Sequence, residues 1–135
     1  MSSPNSYNHT VIENFRANRG KVEGGGSLLL LTTTGAKSGQ PRTTPLAYSI
    51  DGDHLIVAAS KAGAPTNPDW YFNLLANPIV TVELGAERFQ AHARVVEGEE
   101  RDRLYQRHAE LMPGFADYQQ KTQRQIPVII LERMG

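Results

Sequence analysis

Thr32-Thr33-Thr34-Gly35-Ala36-Lys37-Ser38-Gly39-Gln40-Pro41-Arg42-Thr43-Thr44-Pro45 is a polar, glycine-punctuated, cationic stretch set between two apolar runs. Before it, Ser27-Leu28-Leu29-Leu30-Leu31 passes into β-favouring threonines, the pattern of a buried strand. After it, Leu46-Ala47-Tyr48-Ser49-Ile50 alternates as a second strand does. The stretch therefore reads as a turn between strands. Glycines at 35 and 39 let backbone N–H groups approach an anion closely, while Lys37 adds a flexible point charge and Arg42 a planar fork. The same residues also describe an ordinary solvated hairpin tip. Taken alone they favour that blander reading, because short Gly and Lys motifs often match by chance.

The phosphate-binding phrase G-x-x-x-x-G-K-S/T ends in the same Lys37-Ser38 pair, but Leu31 and Ala36 occupy its two glycine positions. It also requires a helix straight afterwards, and Pro41 and Pro45 forbid one. A nucleoside triphosphatase is not indicated.

Downstream, Asp51-Gly52-Asp53 separates the alternating strand from Leu55-Ile56-Val57-Ala58-Ala59, which predicts a compact β-hairpin. That strand runs into a second small cationic loop, Ser60-Lys61-Ala62-Gly63-Ala64-Pro65, whose Lys61 is expected to converge with Lys37 and Arg42. Asn67-Pro68-Asp69 then starts a helix, with Asn67 as cap, Pro68 in the first turn and Asp69 at the positive end of the dipole. Trp70, Tyr71, Leu74 and Leu75 form its apolar side, and Asn77-Pro78 ends it. Residues 79–84 and 88–96 read as an antiparallel pair around Gly85-Ala86-Glu87, with His92 facing outward or packing at a strand edge. Residues 97–112 form a helix with Leu104, His108 and Leu111 on one side, stopped by Pro113-Gly114. A shorter helix over 115–123 follows, then a final strand over 126–132 in which Pro127 marks an edge or a strand start. Upstream, residues 1–8 read as a loose arm. Val11, Ile12 and Phe15 give a short helix capped by Asn8 or Thr10 and ended by Gly20, and Gly24-Gly25-Gly26 is a connector.

At 135 residues the chain is most economically one domain spanning 1–135, with 1–24 as an N-terminal arm and helix. Its 14 basic and 14 acidic residues balance, which argues against a general nucleic-acid binder. Without cysteine there is no disulfide, thiolate metal site or cysteine nucleophile. No secretion signal and no apolar run of about 20 residues is visible, so a cytoplasmic protein is expected. The four histidines, His9, His54, His92 and His108, are scattered without metal-like spacing, and no G-x-S-x-G elbow supports Ser38 or Ser60 as a nucleophile. Anion-binding loops without an acid, base or nucleophile constellation fit a protein whose cofactor carries the chemistry.

The phrase at 31–42, followed by Val57-Ala58-Ala59-Ser60-Lys61 and by Asn67-Pro68-Asp69-Trp70-Tyr71-Phe72-Asn73-Leu74, resembles the deazaflavin-dependent nitroreductase family. The likeness continues through Asp117-Tyr118 and Arg124-Gln125-Ile126-Pro127-Val128. It implies an α+β fold, a split β-barrel of the flavin-reductase type with flanking helices, holding the deazaflavin coenzyme F420. The turn then changes its reading. The resemblance gives cofactor-binding roles to Lys37, Ser38, Gly39, Gln40, Pro41, Arg42, Thr44 and Pro45 in the cationic turn and the strand after it. Ala58, Ala59, Ser60 and Lys61, with Trp70 and Asn73, join them around the ring. Ser60, through backbone donors, and Tyr118 are the expected catalytic contributors.

Hydride transfer from reduced F420 to a small-molecule electron acceptor is the implied reaction. Ala47, Tyr48, Met112, Phe115 and Tyr118 form the expected acceptor pocket. In the nitroimidazole-reducing members this pocket is rich in tyrosine, whereas Ala47, Met112 and Phe115 stand here at three matching positions. Quinones or α,β-unsaturated lactones and esters suit it better than nitro compounds. Two alternatives stay open: an FMN-dependent enzyme of the same barrel, and a non-catalytic F420-binding protein. An extended glutamate tail needs more cationic surface than one phosphate, and Arg16, Arg19 and Lys21 could supply it. The expected assembly is a monomer or homodimer, with peripheral membrane contact left open by quinone chemistry.

Overall fold

The leucine run enters β1 (Leu28–Thr34), which turns through residues 35–40 into β2 (Pro41–Ala47). The computed structural model describes residues 5–19 and 28–134. β3 (Ser49–Asp51) and β4 (His54–Ala58) make the hairpin expected at Asp51-Gly52-Asp53, with Gly52 at φ +61° where a side chain would be strained. β5 (Ile79–Leu84), β6 (Glu87–Val96) and β7 (Val128–Arg133) complete one antiparallel sheet in the order β2-β1-β5-β6-β7-β4-β3. The helices are α1 (Asn5–Ala17), α2 (Asp69–Ala76), α3 (Gly98–Leu111) and α4 (Gly114–Lys121).

The period-2 alternation of the strands sorts side chains onto two faces. Leu29, Leu31, Leu55, Val57, Val82, Ile129 and Leu131 pack on one face with Trp70 and Leu74 of α2. Ile56, Ala58, Val128 and Ile130 point the other way, onto Leu104 and Tyr105 of α3 and Ile126. β4 and β7 are thus buried on both sides, which their unbroken apolar runs require.

Several expectations need correction. The alternating run at 46–50 is two strands, because the chain leaves β2 at Tyr48 and crosses to the opposite edge of the sheet. Pro41 and Pro45 lie inside β2, where an edge strand tolerates the missing N–H. Pro127 immediately precedes β7, which is central, so the strand-start reading holds and the edge reading does not. α1 begins at Asn5, which puts Asn8 and Thr10 inside the helix and not at its cap; Phe15 is its buried anchor. Leu75 and Leu111 face solvent, since the apolar side of each helix is narrower than composition suggested. Gly20 and Gly24-Gly25-Gly26 lie outside the described residues.

Candidate functional site

The cationic turn closes on itself through Gly35 N–H donating to Gln40 O at 2.8 Å and Gly39 N–H to Gly35 O at 2.9 Å. Gly35 is buried beneath the turn, and a Cβ there would collide with Ser38 Oγ. Gly39 sits at φ +70°, the left-handed region that glycine enters without strain. Ser38 Oγ accepts from Gln40 N–H at 3.2 Å, so its hydroxyl shapes the turn.

An open cavity of about 660 Å³ lies between this turn, β2 and α2. Lys37, Ser38, Arg42, Thr44, Trp70 and Asn73 line it, together with Asp69 and Phe72. Gly39, Gln40, Pro41 and Pro45 belong to the turn and strand but not to the lining. Lys37 and Arg42 make no ion pair or side-chain hydrogen bond among the described residues, although Asp69 lines the same cavity. Two cations without a direct ion pair, against the single carboxylate of Asp69, leave a net positive cavity beside a glycine-bearing turn, a site suited to an anion.

Asn73 sets the position of that turn. Its side chain is buried, accepting from Ala36 N–H through Oδ1 at 2.9 Å and donating through Nδ2 to Thr33 Oγ1 at 3.2 Å. The carboxamide therefore ties α2 to the turn across 37 residues of chain. Sequence reasoning placed Asn73 at the cofactor; the side chain lines the cavity and at the same time braces its rim.

Lys61 is not among the residues lining this cavity, and its Nζ donates to Thr66 Oγ1 at 3.3 Å. It stands at φ +48°, unusual for a residue with a side chain. Gly63, at φ +82°, packs so closely that a Cβ would lie 2.9 Å from both Tyr118 O and Lys121 Cβ. Ala58, Ala59 and Ser60 are buried at the end of β4. Loop 60–64 is held by Arg124, which sequence reasoning missed: its Nε donates to Ala64 O at 3.0 Å, Nη1 to Ala59 O at 3.2 Å and to Asn67 Oδ1 at 2.6 Å, and Nη2 to Ser60 O at 2.8 Å. Asn67 is consequently not a helix cap, because its oxygen is committed to Arg124 and α2 starts without a side-chain cap. Burial lowers the Arg124 pKa from its ordinary value.

Of the expected acceptor residues, Phe115 and Tyr118 meet edge to face at 5.3 Å, and Phe115 meets His108 at 4.4 Å. Both pack against the core beneath α3. Tyr48 packs against the opposite core, so the structure does not bring it together with Tyr118. Ala47 ends β2 and Met112 immediately follows α3, each half-buried. His108 is fully buried; its Nδ1 lies 2.7 Å from Ser49 Oγ, its Nε2 has no partner, and desolvation lowers its pKa to about 4.

Arg16 is engaged by Glu83 through two hydrogen bonds of 3.0 and 2.8 Å, and Lys21 lies outside the described residues. The fold brings His54 and His92 to either side of Glu132, at 3.7 and 4.0 Å, which their separation in the chain hid. Arg94 shares that carboxylate, and no group of three ligands among the described residues could hold a metal ion.

Residues 7–133 match the family described as F420H2-dependent quinone reductase. The chain belongs to that family. An F420H2-dependent quinone reductase of Mycobacterium tuberculosis (strain H37Rv) is 45% identical over 116 residues, covering 84% of this chain and 78% of the relative. A solved F420H2-dependent reductase superposes with a TM-score of 0.72 at 45% identity, covering 78% of this chain and 94% of that one. A second solved chain, described as a domain-swapped dimer, gives 0.75 at 39% identity over 96% of this chain and all of that one. This member of the F420H2-dependent quinone reductase family is an oxidoreductase with the split-barrel fold, and F420 is its family's cofactor. The FMN alternative finds no support. Among the described residues no helix is long and apolar enough to cross a membrane.

The cavity fits such a cofactor. A lysine and an arginine without a described ion pair suit its phosphate and glutamate carboxylates, and Trp70 and Phe72 in the lining offer aromatic faces to a flat ring.

Proposed function

We propose that this chain reduces quinone-like or conjugated carbonyl acceptors with F420H2. The cationic turn grips the anionic part of the cofactor, and loop 58–61 contacts its ring. When bound, F420H2 supplies a hydride from C5 of the deazaflavin to the acceptor. Lys37 and Arg42 provide the charge that binds phosphate and carboxylate, and Asn73 and Gly35 hold the turn that presents them. Backbone N–H groups around Ser60 and Lys61 stabilise charge developing on the ring carbonyls. Reduction of a quinone also consumes a proton, which water provides.

The acceptor side is formed by Phe115 and Tyr118, because α4 packs directly on the loop that carries Ser60 and Lys61. Met112 and Ala47 complete the proposed pocket, and Tyr48, over the opposite core, is left out of it. The observation that carries the reading is the pair of cations, Lys37 and Arg42, unpaired among the described residues and lining one cavity with Trp70. A titration of Trp70 fluorescence with F420 and, separately, with FMN tests it. Saturable quenching by F420 alone, followed by turnover of a soluble naphthoquinone, is the expected result. Preference for FMN, or binding of neither, overturns it.

A further inference from the structure

The hydrogen bonds of Arg124 converge on a single loop. Its four described acceptors, the carbonyls of Ala59, Ser60 and Ala64 and the side-chain oxygen of Asn67, all lie between β4 and α2. That segment joins the proposed ring-contact stretch to the helix carrying Trp70 and Asn73. It has little reason to keep its shape unaided. Lys61 is held at φ +48°, which costs on the order of 1 kcal/mol or more for a residue with a side chain. A planar guanidinium can satisfy several carbonyls at fixed angles, which a lysine ammonium cannot. Arg124 is itself fixed from behind, since Gln119 Nε2 donates to its backbone carbonyl at 2.8 Å. Gln119 Oε1 in turn accepts from Arg101 Nη2 at 2.7 Å and from Ile126 N–H at 3.0 Å.

We propose that Arg124 is a positioning residue for the cofactor ring: by fixing the Ala59 and Ser60 carbonyls it holds the backbone at Ser60 and Lys61 in the shape that binds the ring. The inference rests on the proposed cofactor site and adds to it a residue that touches neither cofactor nor acceptor. Removing the guanidinium leaves the Ala59 and Ala64 carbonyls without their described partner, leaves Ser60 O only its bond from Gly63 N–H, and frees Lys61 to leave its strained conformation.

Arg124→Ala and Arg124→Lys test this by two readouts. The first is amide hydrogen exchange in the cofactor-free protein at Gly63 and Ala64, whose N–H groups donate to Ser60 O and Lys61 O. The second is F420 affinity from Trp70 fluorescence. Arg124→Ala is expected to speed exchange at both amides and weaken F420 binding, each by about tenfold or more. Arg124→Lys should fall between it and wild type, and added guanidinium ion, but not urea, should restore part of the affinity. If Arg124→Ala fails to fold, Arg124→Lys is read alone, and wild-type exchange and affinity in that variant overturn the proposal. Unchanged F420 affinity in a folded Arg124→Ala overturns it while leaving the cofactor site standing. Wild-type protein that binds no F420 overturns the site itself, and this proposal with it.

Discussion

Asn73→Leu separates the bracing of the cationic turn from simple core packing. Leucine has nearly the shape of asparagine, so the change removes hydrogen bonds and leaves little empty space. Two bonds disappear, to Ala36 N–H and Thr33 Oγ1, at about 1 kcal/mol each. Thr33 is only 1% exposed, so its hydroxyl is stranded away from water and adds to the loss, whereas Ala36 N–H can turn to solvent. A net cost of about 2–3 kcal/mol follows, because burial of the leucine side chain offsets part of it. For a chain of 135 residues the unfolding entropy is about 0.28 kcal/mol per kelvin, so the midpoint falls by about 7–11 °C in a thermal melt. Thr33→Val in the same background removes the stranded hydroxyl and should return about 1 kcal/mol, or about 4 °C. The turn stays unpinned in both variants, so F420 affinity is expected to fall by about tenfold in each and not to recover with stability. Affinity that tracks the melting temperature back upward in the double variant, or that never changes, refutes the bracing role.

Two further outcomes follow from the same geometry. Lys37→Ala combined with Arg42→Ala should weaken F420 binding by about 100-fold and flatten its salt dependence, while the melting temperature moves by no more than about 2 °C, because both side chains are exposed and unpaired among the described residues. Equal loss of stability and affinity would return these cations to the scaffold. His108 has a folded pKa lowered to about 4 from 6.5, so the unfolded chain binds the extra proton first, and stability is lost as pH falls from about 6.5 to about 4. The total is roughly 3 kcal/mol, seen as a lower urea midpoint at pH 4 than at pH 7. His108→Gln should remove that part of the pH dependence, and an unchanged pH profile in the variant sinks the assignment.

The elements bounded by local chemistry were legible in the sequence. Asp51-Gly52-Asp53 and Gly85-Ala86-Glu87 mark tight turns whatever surrounds them, and β5, β6, α3 and α4 fall within a few residues of their expected spans. The break at Tyr48 was not legible. Residues 46–50 alternate smoothly, and nothing in that alternation shows that Leu46 pairs back with Leu29 of β1 while Ser49 pairs forward with Ile56 of β4, at opposite edges of the sheet. The site divides the same way. Lys37 and Arg42 announce themselves by charge in a glycine-bearing turn, but Arg124 reads as one more surface arginine in a short loop. Its acceptors lie 57 to 65 residues away, and three of them are carbonyls that every residue has. A polar side chain that recognises backbone leaves no complementary residue type for a reader to find.

The division of labour between the two faces of the sheet also bears on how the acceptor could change while the cofactor stays the same. The proposed anion grip consists of the β1–β2 turn and α2; α2 packs over one core and holds the turn through Asn73. Phe115 and Tyr118 pack over the other, and α4 meets the proposed ring-contact loop at Gly63. Substitutions on α4 thus share no hydrogen bond with Lys37, Arg42 or Asn73, and effects at sites without shared partners add nearly independently. A difference on α4 such as Phe115 can then retune the proposed acceptor wall without loosening the turn. The limit is Gly63. At φ +82°, with Tyr118 O against it, any side chain would push α4 off the loop and couple the two halves of the site directly.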